Sequence, residues 1–173
     1  RKLFKYLSLM ISYTSNFIFI HIPKCGGTSI ELSLQDSSCV CKRNQWSKVP
    51  KGYGVPLNHL TYDQLINSDF LTDGQVNAFL SFTFVRNPWD KVISECFCSA
   101  IQPMFKDCNS IKDRINRVCK FADRGYSGHC KSQIQFIQSN QQVPVKFIGR
   151  FENFQNDFDT VCTMLGIPIP KLP

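Results

Sequence analysis

The stretch "FIFIHIPKCGGTSIE", residues 17–31, joins an apolar run to a lysine, a glycine pair and two hydroxyl side chains. The run of Ile and Phe predicts a buried β-strand over residues 17–22. The two glycines let the backbone turn tightly and approach a ligand, because they have no Cβ. A helix that begins near Thr28 would direct its unpaired N–H groups and positive dipole end at the same point. The stretch therefore predicts an anion bound at a strand-to-helix turn; the alternative is an ordinary turn with a solvated lysine.

Side chains of this turn strengthen the prediction. Lys24 adds a full positive charge, and Thr28 and Ser29 add hydroxyl donors. The turn can therefore form a cradle for a phosphate-like group. Thr28 and Glu31 also match the capping-box pattern, which predicts that the helix begins at Thr28.

The position of the lysine argues against a nucleotide triphosphatase. The phosphate loop of those enzymes is G-x-x-x-x-G-K-[ST], in which the lysine follows the glycines. Lys24 precedes its glycines, and no acidic residue ends an apolar strand where it could hold magnesium. A nucleotide kinase or triphosphatase is therefore the weaker alternative.

Two further apolar runs predict strands. "FLSFTFV" covers residues 79–85, and "VKFIG" covers residues 145–149. Helical patterns follow the three predicted strands, over residues 28–35, 88–101 and 153–166, with Gly166 as the stop of the last. This alternation predicts an α/β fold in which a parallel β-sheet is flanked by helices.

The remaining segments give less specific predictions. Residues 36–76 are polar and contain Gly and Pro, which predicts loops with a short helix near residues 61–66. Residues 1–13 place Leu and Ile at helical spacing, which predicts a short amphipathic helix. The sequence contains no uninterrupted run of 18 apolar residues, so it predicts no membrane span. A length of 173 residues, 43% of them hydrophobic, predicts a single domain over residues 1–173.

The segment "VRNPWDKVISE" contains a second candidate anion site. Arg86 follows a predicted strand, Asn87 can cap the next helix, and Pro88 suits its first position. Ser94 lies about two turns further on. Ligands of open α/β sheets bind at the carboxyl ends of the strands, so Arg86 and Lys24 are expected to face one crevice. A structural ion pair is the alternative role for Arg86.

The net charge indicates which classes of partner the chain can bind. The net charge of +7 favours an anionic partner: a nucleotide, a sulfated or carboxylated sugar, nucleic acid or a membrane surface.

The nine cysteines of the chain are an odd number, so they cannot all pair within it. The Cys-x-Cys pairs Cys39/Cys41 and Cys96/Cys98 have the wrong spacing for a usual zinc ribbon or finger. We expect structural or free thiols and no metal site; metal binding is the lesser alternative, and oxidised pairing of some cysteines is left open.

Four segments together resemble one enzyme family. "HIPKCGGTSIE" resembles the 5'-phosphosulfate loop, and "VRNPWDKVISE" the 3'-phosphate motif, of sulfotransferases that use 3'-phosphoadenosine-5'-phosphosulfate (PAPS). "HLTYDQL" and "FIGRFENFQNDFDTVCTMLGIP" resemble later segments of the branch that contains carbohydrate sulfotransferases and small bacterial and viral relatives. The resemblance covers most of the chain from residue 17 onward. It implies a sulfotransferase fold related to that of P-loop nucleotide triphosphatases.

The resemblance also implies ligand contacts. PAPS and its product 3'-phosphoadenosine-5'-phosphate (PAP) would be bound without a metal ion. The implied cofactor-binding residues are Lys24, Cys25, Gly26, Gly27, Thr28 and Ser29 for the 5'-phosphosulfate, and Arg86 and Ser94 for the 3'-phosphate. Lys91 stands where relatives often have arginine, and no ligand contact is assigned to it.

A base must remove the proton of the acceptor hydroxyl. The resemblance implies that His59, in "NHLTYDQL", is this base and that Lys24 stabilises the leaving group. His21 is expected to be buried structure within the first strand. His129 is expected to touch the acceptor or close the pocket, and Glu31 is a lesser candidate base.

The implied acceptor is a hydroxyl, which we expect to belong to a carbohydrate, with no nucleic-acid partner. A protein tyrosine and a small-molecule alcohol are the alternative acceptors. The oligomeric state is left open. A cytoplasmic location is favoured over the Golgi lumen, because the chain resembles the anchorless relatives. Relatives continue beyond the equivalent of the final "KLP" with a basic segment and a terminal helix. A trimmed chain, a minimal enzyme and an inactive PAP-binding module are the alternatives that follow.

Overall fold

The structure, a computed structural model, describes residues 11–35, 59–68, 70–123 and 128–173. Within these ranges four strands form one sheet, in the order β1-β2-β3-β4. They are β1 (Ile11–Ser12), β2 (Phe17–Ile20), β3 (Leu80–Val85) and β4 (Phe147–Arg150). β2, β3 and β4 are parallel, and β1 is antiparallel to β2. The three predicted strands are therefore neighbours in one sheet, and the predicted α/β fold is confirmed.

Helices connect and cover these strands. The α-helices of the described ranges are α1 (Gly27–Gln35), α2 (Tyr62–Ile66), α3 (Asp73–Ala78), α4 (Pro88–Cys96), α5 (Ile111–Asp123), α6 (Gln133–Ile137) and α7 (Phe154–Leu165). Short 3-10 helices cover Ser99–Phe105, Gly128–Cys130 and Phe151–Asn153. None of the helices that the structure describes combines the length and the apolar character needed to cross a membrane.

The ends of the predicted helices agree with the structure to different degrees. α7 ends as predicted, because Gly166 adopts a left-handed φ of 63° and caps it. α2 confirms the short helix predicted near residues 61–66. α4 stops at Cys96, before the predicted end at residue 101, and the chain continues as a 3-10 helix that contains Pro103. α3 lies in the segment predicted as loops; none of its residues is buried, so it has no apolar stripe to reveal it.

The prediction of a helix over residues 1–13 is wrong where the structure describes it. Ile11 pairs with Ile18 and Ser12 with Phe17, across a turn in which Asn16 has a φ of 53°. Hydrogen bonding to a fully buried strand therefore outweighs the helical spacing of the apolar residues. Residues 1–10 of that predicted helix lie outside the described residues.

The core lies on both faces of the sheet. Alternate residues of β2 point to opposite faces, and all four are buried. Phe17 and Phe19 join a cluster with residues of α1 and α7, whereas Ile18 and Ile20 join a cluster with residues of α2 and α6. A third cluster, between α4 and α5, contains Cys96, Phe105, Val118 and Cys130. The covered faces leave the carboxyl edge of the parallel strands open to a ligand.

Candidate active site

A cavity of about 340 Å³ lies where β2 and β3 end. It is lined by His21, Pro23, Lys24, Gly26, Gly27, Thr28, Ser29, His59, Arg86, Ser94, Cys98, His129 and Phe151. The residues predicted to bind cofactor, the predicted base His59 and Lys24 all lie in this wall except Cys25. The lesser candidate base Glu31 is also outside it. A larger and more open cavity, about 750 Å³, lies against the segment from Gly166 to Pro173 and contains none of the predicted site residues. The chemistry is therefore expected in the smaller cavity.

The loop between β2 and α1 has an unusual backbone. Lys24 has a φ of 64° and Gly26 a φ of 84°, both in the left-handed region. This conformation is strained for lysine, and such strain is often found at functional sites. The carbonyl of Lys24 accepts a hydrogen bond from Nη1 of Arg86 at 3.3 Å. Arg86 thus ties the loop to the end of β3.

The two glycines are required by packing against the protein as well as by any ligand. A Cβ at Gly26 would lie 2.5 Å from Cζ of Phe154. A Cβ at Gly27 would lie 2.1 Å from Cδ2 and 2.2 Å from Nε2 of His21. No real side chain tolerates such distances, so both positions accept only glycine while their neighbours stay in place.

The prediction that Thr28 caps α1 is wrong. The carbonyl of Gly26 accepts the first helical hydrogen bonds, from Ser29 N at 3.0 Å and Ile30 N at 3.3 Å. The helix therefore begins at Gly27, and Thr28 lies inside it. The carboxylate of Glu31 contacts Nδ1 of His21 at 2.8 Å instead of capping the helix. α1 therefore begins one residue earlier than predicted. The unpaired N–H groups of its first turn belong to residues that line the cavity.

Arg86 is held on several sides. Its guanidinium lies 4.3 Å from the ring centroid of Phe151, and its backbone N–H and carbonyl bond the side chain of Gln133 at 2.8 and 2.7 Å. Its Nε atom is buried and has no hydrogen-bond partner among the residues that the structure describes. A buried donor without a partner is costly, so Arg86 is suited to an anion that would accept from it.

Helix α4 contributes the next part of the wall. Asn87 caps it, since its Oδ1 accepts from Trp89 N at 3.0 Å, and Pro88 is its first residue. These features were predicted, and they place Ser94 in the cavity wall two turns later. Lys91 is buried and donates to Glu95 Oε1 at 3.1 Å and to the carbonyl of His129 at 3.0 Å. These contacts give Lys91 a structural role in the packing of α4.

All three histidines of the chain meet in this wall. The ring centroids of His21 and His59 are 4.7 Å apart, and those of His59 and His129 are 4.9 Å apart. Nδ1 of His59 lies 3.2 Å from the carbonyl oxygen of His21. Burial, followed by the charge of His21, lowers the pKa of His59 to about 3. His59 is therefore a neutral imidazole over the whole physiological range.

Cys25 faces away from the cavity. Its thiol lies 3.3 Å from Oε1 of Gln133 and 3.6 Å from the carbonyl of Pro23, and its backbone N–H bonds the carbonyl of Ile22. Burial raises the pKa of the Cys25 thiol to about 12. The residue that was predicted to contact cofactor thus packs the loop from inside.

The wall also holds a group that sequence spacing did not predict. Ligand atoms of Glu95, Cys98 and His129 lie within 4.8 Å of one another, close enough to hold a metal ion. The ammonium of Lys91, 3.1 Å from Glu95 Oε1, already supplies a cation there. The expectation of a metal-free site stays a prediction. The seven cysteines in the described ranges are all free thiols.

Glu95, Gln133 and Phe151 were missed by sequence analysis. The four-residue spacing of Lys91 and Glu95 was a usable signal for a helix ion pair. Gln133 and Phe151 come from segments far from Arg86 in sequence, and no local pattern marks them. Their roles follow only from the contacts that they make.

A protein-family model described as "Sulfotransferase family" matches residues 8–171, nearly the whole chain. No curated protein and no solved structure gives a significant match. The matched region contains the loop after β2, Arg86 and the three histidines of the wall. Transfer of a sulfuryl group is the general activity that this match supports. The chain belongs to the sulfotransferase family.

Proposed function

We propose that the chain transfers the sulfuryl group of PAPS to a hydroxyl of a carbohydrate. The observation that carries this proposal is the meeting of two cations, Lys24 and Arg86, in one cavity at the ends of adjacent parallel strands. PAPS has anionic groups at both its 3' and 5' positions, whereas ADP and ATP have them only at the 5' position. A site with two separate cations therefore favours PAPS and PAP.

The residues present fit the two ends of this molecule. Lys24, Gly26, Gly27, Thr28 and Ser29 would hold the 5'-phosphosulfate against the first turn of α1. Arg86 and Ser94 would hold the 3'-phosphate. The buried, unpartnered Nε of Arg86 supports this assignment, because an anion would satisfy it.

The chain's own groups can stabilise the transfer. PAPS supplies an activated sulfuryl group, and negative charge grows on the leaving phosphate oxygen. Lys24 and the amides of the loop would stabilise that charge, since they are already oriented by the hydrogen bond from Arg86 to the carbonyl of Lys24. The acceptor hydroxyl must give its proton to a base. His59 is the proposed base, because the resemblance assigns it this role and because it lines the cavity.

The proposal that the acceptor is a carbohydrate rests on the resemblance and on the net charge of the chain. The chain carries a net charge of +7, which suits an acidic glycan. An acceptor assay with PAPS and desulfated glycosaminoglycans, compared with tyrosine peptides and small alcohols, tests this part of the proposal. Sulfation of a peptide in preference to every glycan would move the acceptor to another class.

Calorimetric titration tests the nucleotide site. PAP should bind much more tightly than ADP or ATP with magnesium. Arg86→Ala should weaken PAP binding by about 10- to 100-fold, the effect of losing one or two charge-assisted hydrogen bonds. Arg150→Ala is the matched control, because Arg150 is exposed at the end of β4 and does not line the cavity.

The other outcomes separate the alternatives. Tight binding of magnesium ATP without PAP binding would return the chain to the kinase or triphosphatase class. PAP binding without any release of PAP from PAPS would make the protein an inactive binding module.

A further inference from the structure

One glutamine side chain contacts both segments that are proposed to bind anions. Gln133 lies in α6, 47 residues after Arg86 and 108 residues after Cys25. Its Oε1 accepts a hydrogen bond from the backbone N–H of Arg86 at 2.8 Å, and its Nε2 donates to the carbonyl of Arg86 at 2.7 Å. The same Oε1 accepts from the thiol of Cys25 at 3.3 Å. Gln133 therefore joins the end of β3 to the loop after β2.

The contact with Arg86 takes the place of strand pairing. β3 pairs with β2 as far as Thr83 and with β4 as far as Val85, so both ladders end before Arg86. Backbone N–H and carbonyl groups away from water need partners. The Gln133 amide offers one donor and one acceptor to the same residue, as a residue of a neighbouring strand can. It thereby holds the backbone of Arg86 where the sheet no longer does.

The contact with Cys25 holds the loop from the side opposite to the cavity. Burial raises the pKa of the Cys25 thiol to about 12, so the thiol keeps its proton at neutral pH and can donate it. Oε1 of Gln133, at 3.3 Å, is nearer to the sulfur than the carbonyl of Pro23, at 3.6 Å. Cys25 lies between Lys24 and Gly26, which both line the cavity. The position of this loop is therefore linked to that of Arg86.

The guanidinium of Arg86 depends on where its backbone is held. Nη1 donates to the carbonyl of Lys24 at 3.3 Å, and the guanidinium lies 4.3 Å from the ring centroid of Phe151. Nε is buried and has no hydrogen-bond partner among the residues that the structure describes. A shift of the Arg86 backbone would move this donor relative to the loop after β2, and with it the point at which an anion can be bound.

We propose that Gln133 is a positioning residue that sets the spacing of the two anion sites and so determines the preference for a nucleotide with both 3' and 5' anions. This inference rests on the proposed binding of PAPS and PAP. One ribose links the two phosphates of PAP, so both are bound well only when Arg86 and the loop are correctly spaced. ADP has no 3'-phosphate and needs only the loop. Gln133 itself does not line the cavity.

Calorimetric titration of Gln133→Met with PAP and with ADP tests the proposal. Methionine has a similar length and shape but cannot make the three hydrogen bonds. The Kd for PAP should rise about 10-fold, because small displacements of a binding group are costly, and the Kd for ADP should change less than about threefold. An equal rise for both nucleotides would show a general loosening of the site and would overturn the proposal.

Gln102→Met is the matched control. Gln102 is half-buried, as Gln133 is, and its Nε2 donates to the carbonyls of Cys96 and Cys98 at 3.4 and 3.2 Å. It does not line the cavity and has no contact with Arg86 or Cys25 among the hydrogen bonds that the structure describes. Both variants should lower the thermal unfolding temperature, but Gln102→Met should leave the ratio of the PAP and ADP affinities unchanged. An equal change of that ratio in both variants would contradict a specific role for Gln133.

A double-mutant cycle shows whether Gln133 acts through Arg86. In the Arg86→Ala background, Gln133→Met should change the Kd for PAP less than about twofold, because no guanidinium remains to be positioned. A further loss as large as that in the wild-type background would show that the two residues act independently, and the proposal would be wrong.

Cys25→Ala tests the same link from its other end and replaces Gln133→Met if that variant does not fold. Alanine removes the donor to Oε1 of Gln133. The Kd for PAP should rise by about 2- to 10-fold, the usual effect of one lost hydrogen bond, and by more than the Kd for ADP. Equal effects on the two nucleotides would count against the link.

Failure of this inference differs from failure of the proposed function. If the wild type prefers PAP and Gln133→Met keeps that preference, the inference is wrong while PAP binding stands. If the wild type binds PAP no better than ADP, the proposed nucleotide site itself fails, and the inference fails with it.

Discussion

His59 shows at the scale of one residue how burial changes an imidazole. Its pKa is near 6.5 in an unfolded chain and about 3 in the folded protein. Between these values the unfolded state binds more protons, so the stability that His59 contributes is complete above pH 6.5 and falls as the pH drops toward 3. The fold therefore becomes less stable in mild acid for a reason that is independent of catalysis.

Urea unfolding from pH 7 to pH 5 measures this effect. Hydrogen bonds lower the pKa values of the carboxyl groups of Asp113 and Glu152, so these two groups stay ionised throughout this pH range. The wild-type midpoint should fall across the range. It should fall clearly less in His59→Gln, which has no titrating group at this position. An equal fall in both proteins would show that other groups cause the acid sensitivity.

At the scale of one element, Gly27 determines where α1 can begin. A Cβ there would overlap the ring of His21, and His21 is held by Glu31 and by stacking on Phe19. Gly27→Ala should therefore destabilise the fold by about 1–3 kcal/mol, as overpacked sites do, and should weaken PAP binding. Thermal unfolding and calorimetry measure the two effects.

Gly74→Ala is the control for this prediction. Gly74 lies in the exposed helix α3, and a Cβ there would meet only Oγ1 of Thr72, at 3.9 Å. Alanine should stabilise α3 by up to about 1 kcal/mol, because it is the better helix former. If Gly27→Ala were equally well tolerated, close packing at the loop would not be the reason for its glycine.

Sequence patterns predicted elements well where the signal was local. The strands ending near Arg86 and Gly149, and the stop of α7 at Gly166, follow from apolar runs and a left-handed cap. β1 was missed because its two residues are a strand only through pairing with β2. α3 was missed because it buries nothing. The Thr28 cap was a false match, since Glu31 has a stronger partner in His21.

At the scale of the whole molecule, PAP binding should depend on salt. Lys24 and Arg86 approach the cavity from two segments of the chain, on a protein of net charge +7. Screening weakens such attraction, and the Debye length falls from about 10 Å at 0.1 M to about 3 Å at 1 M salt. The Kd for PAP should rise with salt more steeply than the Kd for ADP, which lacks the 3'-phosphate.

Calorimetry between about 0.05 and 0.5 M NaCl measures the slope of the Kd for PAP against salt concentration. Lys24→Ala and Arg86→Ala should each reduce it, because fewer cations face the ligand. Lys120→Ala removes an equal charge from the exposed face of α5 and should leave the slope nearly unchanged. If all three variants behaved alike, net charge would decide PAP binding and the cavity would not be its site.

The sequence by itself determined the strand-to-helix turns that carry Lys24 and Arg86, because apolar runs, glycines and a proline at the first helical position act over a few residues. Those signals also carried the resemblance to sulfotransferases. Only the tertiary structure decided what surrounds the turns. Parallel pairing of β2 and β3 brings the two cations together, and segments distant in the chain place His21, His59 and His129 in one wall. Burial, followed by the charge of His21, then lowers the pKa of His59, and this is a property of packing that no local pattern contains.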